Sequence, residues 1–221
     1  MSSLSRNRIF TRLNAARRIM PVPLPGAADI SVERLGREAR VEKLKTLMKE
    51  MRTEVHIVKT ESFMESLTMI LKNKGIKELL YSPEKEIGTA LEECRKDDIS
   101  NLPELIVYGD NFEEFKPRLF EVQASITSTA GAIADTGAII LCPDEKEPRL
   151  MSLVPPIHIA VLAAEKIYNS LSEVIHSEGW SKNMPTNLLL ISGPSKTADI
   201  ELTLAFGVHG PKELILFIVE E

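Results

Sequence analysis

At 221 residues, with 43% hydrophobic and 27% charged side chains, the chain is long enough for one sizeable core and too apolar for a disordered protein. A formal net charge of −5 lacks the basic footprint of a nucleic-acid binder, and no apolar run reaches the length of a membrane span. The two cysteines, Cys94 and Cys142, form no C-x-x-C pair, which argues against a disulfide framework or a metal cluster held by this chain alone. A reducing cytoplasm is the expected compartment.

Residues 1–28 carry Arg6, Arg8, Arg12, Arg17 and Arg18 and no acid, a composition that overlaps an organelle transit peptide. The simpler expectation is a short basic helix over about Leu4–Arg18, followed by a Pro-rich linker at Met20–Ala28. Residues 1–29 therefore read as an extension and 30–221 as a single α/β domain. Ser31 can cap a helix to about Met51 with Leu35, Ala39, Leu44, Leu47, Met48 and Met51 near one face. Val55–Val58 reads as a strand, about Ser62–Asn73 as a helix stopped by Gly75, about Glu86–Arg95 as a shorter helix, and Leu105–Tyr108 as an apolar run. Ala138–Cys142, Ile157–Leu162, Leu188–Ile191 and Leu214–Val219 are nearly continuous apolar runs, as expected of strands buried on both faces of a mostly parallel sheet. Helices over about Ala163–Glu178 and Ala198–Phe206 are expected between the second, third and fourth of these, giving one open sheet. In such sheets ligands sit outside the carboxyl ends of the strands, so the loops after Cys142, Leu162 and Ile191 are the ones to inspect.

The richest loop is Ile191-Ser192-Gly193-Pro194-Ser195-Lys196-Thr197-Ala198-Asp199-Ile200-Glu201. Ser195 or Thr197 can cap the expected helix, whose free N–H groups, with Lys196, suit a carboxylate or phosphate. An ordinary Gly-Pro turn with Lys196 in solvent fits the same residues. It is not a phosphate-binding P-loop, since Ser195 stands where the second glycine is required, and no G-x-G-x-x-G occurs. Thr136 and the amides around Gly137 either line a cleft or form a tight turn. His158, between isoleucines, reads as a hydrogen-bonded core residue or a catalyst. His209, in Gly207-Val208-His209-Gly210-Pro211, either presents its ring to substrate as acid or base or bonds its own turn. His56 and His176 lack supporting neighbours, and no metal-binding histidine spacing or nucleophile elbow is present.

Taken in order, A-D-T-G-A (134–138), S-L-V-P-P-I-H-I (152–159), I-S-G-P-S-K-T-A-D-I-E (191–201) and G-V-H-G-P (207–211) resemble the lactate utilization protein C family and its LUD domain. Each stretch is weak alone; the ordered set is specific, and a looser likeness extends over most of 30–221. The resemblance implies a three-layer α/β fold like that of the sugar-phosphate isomerases and CoA transferases. It also implies a role in oxidising L-lactate to pyruvate, with two partner proteins that carry the iron–sulfur clusters and no cofactor in this chain. Thr136, Gly137, Ser192, Gly193, Pro194, Ser195, Lys196 and Thr197 are then expected to border a substrate pocket, with His209, Glu201 and His158 as candidate acids, bases or nucleophiles. Two other readings remain open. One is a stand-alone CoA transferase or sugar-phosphate isomerase, for which Glu201 is the motif loops' one glutamate; the other is a non-catalytic assembly or regulatory protein.

Overall fold

A computed structural model describes residues 3–19, 34–96, 102–108, 112–198, 204–207 and 209–221. The chain divides into two units, Met1–Val32 and Glu33–Glu221. The first contains helix α1 (Ser3–Ile19), in agreement with the basic helix expected there; its Ile9, Phe10 and Leu13 are exposed, and Arg6 lies over the Phe10 ring. The Pro-rich linker and Ser31 lie outside the described residues.

The second unit begins with α2 (Arg37–Glu50), capped by Gly36, then runs β1 (Glu54–Lys59), α3 (Thr60–Asn73), β2 (Glu78–Tyr81), α4 (Glu86–Lys96), β3 (Glu104–Val107), α5 (Phe112–Glu121) and β4 (Ala124–Ser128). Next come β5 (Gly131–Ile133), β6 (Ala138–Leu141), β7 (Ile157–Ala163), β8 (Ile167–Tyr168), α6 (Leu171–Ser177), β9 (Leu189–Ile191), β10 (Lys196–Ala198), β11 (Leu204–Phe206) and β12 (Glu213–Glu220). Six strands form a wholly parallel sheet in the order β1-β12-β7-β4-β2-β3. Its alternating side chains feed two cores, as the two-residue period of a strand requires. Ile215 and Phe217 of β12 and Ile159 of β7 pack under α3 and α4 with Phe63, Leu67, Leu71 and Leu91. Leu214, Leu216 and Ile218, with Ala160 and Leu162, face the other way onto Val41, Leu44 and Met48 of α2 and onto Ala132 and Ile139 of a second sheet. Helices, parallel sheet, and α2 with the second sheet thus make the three layers.

That second sheet differs from the single sheet expected. Ala138–Leu141 and Leu189–Ile191 join it as β6 and β9 in the order β8-β5-β6-β9, with β5–β6 and β6–β9 antiparallel and β5–β8 parallel. An apolar run reports burial and not the sheet it joins: β6 is buried on both faces, while β9 is an edge strand with Leu190 exposed. The expected helix over 163–178 is also corrected. Ala164–Lys166 is a single 3-10 turn, and Ile167–Tyr168 pairs with Ala132–Ile133. The helix starts only after Ser170, whose hydroxyl accepts from the Glu173 N–H. The expected helix over 198–206 is replaced by a hairpin, Lys196–Ala198 against Leu204–Phe206. β2, β4, β5 and α5 were not anticipated. Among the described residues, no helix is long and apolar enough to cross a membrane.

Candidate functional site

Because all six strands of the large sheet run the same way, their first residues share one edge and their last residues the other. At the amino edge, the turn between β5 and β6 brings Gly137 against α2, where a Cβ on it would lie 2.5 Å from that of Leu47. Its φ of +61° is also one that favours glycine. The register of β6 with β9 places Ile139 opposite Ile191. Extrapolated two residues, it sets Ser192 and Gly193 beside Ala138 and Gly137. Gly193 touches α2's end: a Cβ there would meet both the Cβ and the carbonyl oxygen of Met51 at 2.9 Å. Leu47 and Met51 are one helical turn apart, so two loops far apart in sequence dock side by side on α2.

Ser195 ties in the last motif. Its N–H donates to the Pro211 carbonyl at 2.8 Å, its own carbonyl accepts from the Gly207 N–H at 3.0 Å, and its hydroxyl accepts from the His209 N–H at 3.3 Å. Pro211 leads straight into β12, and the Lys212 N–H donates to Pro156, which leads into β7. Pro194 then borders a cavity of about 250 Å³ with Arg52, Glu54, Lys212, Glu213 and Leu214. Both carboxylates there are engaged, since Lys74 Nζ lies 2.9 Å from Glu54 and 2.8 Å from Glu213. Burial pushes the Glu54 carboxyl up, but hydrogen bonds from Lys74 and His56 hold it below the usual range. Arg52 adopts a φ of 68°, left-handed backbone that costs a non-glycine residue about 1–3 kcal/mol.

The structure thus brings Thr136–Gly137, Ser192–Thr197 and His209 to one place, beside Arg52 and Lys212. It is the amino edge, not the carboxyl edge where ligands were expected. The ligand chemistry changes too. Lys196 and Thr197 open a strand, so the amides offered are those of a loop and hairpin and not a helix N-terminus. Lys196 and His209 are exposed. Glu201 lies outside the described residues. His158 stands apart: it is fully buried, Nε2 lies 2.9 Å from Thr127 Oγ1, and burial pushes its pKa down to about 4. Its Nδ1 has no hydrogen-bond partner among the described residues. A bare ring acceptor is cheaper to bury than an unpaired N–H, so the proton belongs on Nε2 and the ring is a neutral core group.

The carboxyl edge holds a cleft whose residues the sequence did not single out. Beyond β4, the Glu147 carboxylate accepts the Ser128 N–H at 3.0 Å and its hydroxyl at 2.5 Å. Lys85 bridges to Asp144 at 2.7 Å. Burial pushes the Asp144 carboxyl up, but bonds from Lys85 and from the Glu147 and Lys146 amides hold it down. The signal that could have found this cleft is the hydroxyl-rich run Ser125-Ile126-Thr127-Ser128-Thr129, a strand end followed by a loop.

The family model described as the LUD domain matches residues 41–219. The chain belongs to the LUD-domain family. It is 34% identical over 221 residues to an uncharacterized protein of Neisseria meningitidis, covering 97% of this chain and 93% of that one. It is 30% identical over 176 residues to lactate utilization protein C 1 of Bacillus mycoides, covering 76% and 74%. With lactate utilization protein C of Deinococcus radiodurans it shares 36% over 102 residues, 46% of this chain and 48% of that one. The crystal structure of a DUF162-family protein from Deinococcus radiodurans has the same fold, with a TM-score of 0.61 at 18% identity over 84% of this chain and 99% of that one.

Proposed function

We propose that this chain serves lactate utilization by holding L-lactate in the amino-edge loops while two partner proteins with iron–sulfur clusters carry its electrons away, in the cytoplasm. The observation that carries the reading is the convergence of Thr136–Gly137, Ser192–Thr197 and His209 beside Arg52 and Lys212. Lactate offers one carboxylate and one hydroxyl. Loop amides, the Ser195 hydroxyl and nearby cations suit the carboxylate, because charge-assisted hydrogen bonds are the stronger kind. The exposed His209 imidazole suits the hydroxyl proton. Oxidation to pyruvate also breaks the Cα–H bond, so two electrons and a second proton leave; in this reading the electrons pass to the partners' clusters and that proton to solvent. The relatives named for lactate utilization support the pathway; the residue roles rest on the geometry.

Deleting the gene and testing growth on L-lactate examines both. Growth should fail, wild type should restore it, and Ser195→Ala or His209→Ala should restore it poorly while accumulating to normal levels. Full rescue by both variants sinks the site. Unimpaired growth of the deletion strain, with no second copy of the gene, sinks the lactate role.

A further inference from the structure

At the carboxyl edge a cavity of about 290 Å³ opens beyond β4, close to the lower end of the range for small-molecule sites, roughly 300–1,000 Å³. Four hydroxyl-bearing residues line it: Thr127, Ser128, Thr129 and Ser152. Three of these hydroxyls give their proton to the protein. Ser128 donates to the Glu147 carboxylate, Thr129 to the Val161 carbonyl at 3.0 Å, and Ser152 to the Arg149 carbonyl at 2.9 Å. Thr127 does not. Its single hydrogen-bond partner among the described residues is His158 Nε2, at 2.9 Å. Burial keeps the His158 ring neutral, and the unpartnered Nδ1 leaves its one proton on Nε2. The ring therefore donates and Thr127 Oγ1 accepts, so the hydroxyl's own proton has no acceptor among the described residues. Thr127 is almost fully buried, where a donor without an acceptor is destabilising, and a ligand oxygen in the cavity removes that cost.

The charged groups of the lining then select the ligand. Asp144 and Glu147 face the cavity together with Lys85, whose Nζ lies 2.7 Å from Asp144. One carboxylate is offset and the other is not, so anions are repelled. Ammonium groups and metal ions have no lone pair to accept the Thr127 proton. A hydroxyl meets both demands with one oxygen, accepting from Thr127 and donating to a carboxylate. We propose that this cavity binds a small uncharged polyol, one of whose hydroxyls accepts the Thr127 proton. β7, seven residues long, runs between the two edges, about 20 Å at a strand's rise per residue, so this is a second site and does not rest on the lactate reading.

Nitrogen NMR of the full, isotopically labelled chain at neutral pH tests the proton's position first. The His158 proton should be found on Nε2. A proton on Nδ1 overturns the proposal, because Thr127 then donates to the ring and has nothing to offer the cavity. The same chain is then titrated with erythritol and with erythronate, which has one terminal CH2OH of erythritol oxidised to a carboxylate. Erythritol should shift the amide signals of residues 127–129 saturably, and erythronate should bind more weakly by about tenfold or more. Thr127→Ser keeps the proton and should bind erythritol as the wild type does, whereas Thr127→Val should bind it about tenfold more weakly, the loss of one hydrogen bond. No saturable erythritol shift overturns the proposal, as does equal affinity of the wild type for the two ligands or equal affinity of the two variants for erythritol.

Discussion

The two edges of the parallel sheet differ in how their polar groups are used. At the carboxyl edge, Glu147, Asp144, Ser128 and Thr129 are bonded to one another or to the backbone, and acids dominate the rim. At the amino edge, the two carboxylates of the cavity are held by Lys74, and glycines let three loops crowd onto α2 and onto one another. A ligand rule built on parallel sheets points to the first edge. The motif residues gather at the second, because β5–β6 and β9 fold back along the main sheet and deliver their turns to the start of the strands. In this fold, the sequence signature and the carboxyl-edge cleft lie at opposite ends.

The largest effect that bears on this contrast is at the carboxyl edge, where the first turn of α4 meets the Ser82–Pro83 loop. Gly88→Val drives a branched side chain into the Ser82 carbonyl, which belongs to the backbone and cannot swing away. The expected loss is about 4 kcal/mol or more in denaturant unfolding, beyond ordinary overpacking of about 1–3 kcal/mol. A loss under about 1 kcal/mol shows that α4 is not seated on that loop.

Next comes the buried histidine between the edges. Its pKa is pushed down to about 4 from 6.5, so the unfolded chain binds the extra proton across that window. Its contribution is fully present above pH 6.5 and is lost as pH falls toward 4, about 1.4 kcal/mol per unit and about 3 kcal/mol in all. His158→Leu should be less stable at pH 7, since Thr127 loses its partner, yet should lose less stability between pH 6.5 and 4 than the wild type. Parallel pH profiles from urea titrations contradict a neutral buried ring.

How far these features could be read in advance depends on where their cause lies. The parallel strands Ile157–Ala163 and Glu213–Glu220 announce themselves, since both faces are apolar. β4 does not: Ser125 and Thr127 look like loop residues until the Met151 carbonyl and His158 satisfy them across the fold. The start of the helix inside 163–178 is legible in the sequence. Ser170-Leu171-Ser172-Glu173 is a capping pattern, and Glu173 reaches back to the Asn169 N–H while Ser170 accepts from Glu173, so the start was encoded locally. The hairpin at 196–206 was not encoded this way. Ser195 is held by Pro211 and Gly207, long-range bonds that no local pattern carries. The motif loops are legible as a set; the edge on which they meet is fixed only by the antiparallel β5–β6 and β6–β9 pairs of the second sheet.

The amino edge itself is tested by its close approaches. Gly137→Ala places a methyl 2.5 Å from the Leu47 Cβ at a positive φ, which should cost about 1–3 kcal/mol. It should also impair L-lactate growth more than Gly88→Ala does at matched stability. Adding Leu47→Ala leaves the Cβ clash and the positive φ but removes two further close contacts, at 3.3 and 3.5 Å, so recovery should be partial. Complete recovery means that Leu47's outer atoms, and not the backbone, set the fit.

The smallest effect sharpens the comparison most. The turn carrying Thr136 is also tethered by Lys43, whose Nζ lies 2.7 Å from Asp135, with both side chains well exposed. An exposed pair gains little from its charges because water and salt screen them, so Lys43→Met should change stability by only about 0–1 kcal/mol, and less at high salt. If glycine contacts on α2 alone position the turn, growth on L-lactate should be unchanged in this variant. A growth defect at unchanged stability would instead assign the turn's position to the ion pair, and would make the amino-edge site sensitive to ionic strength.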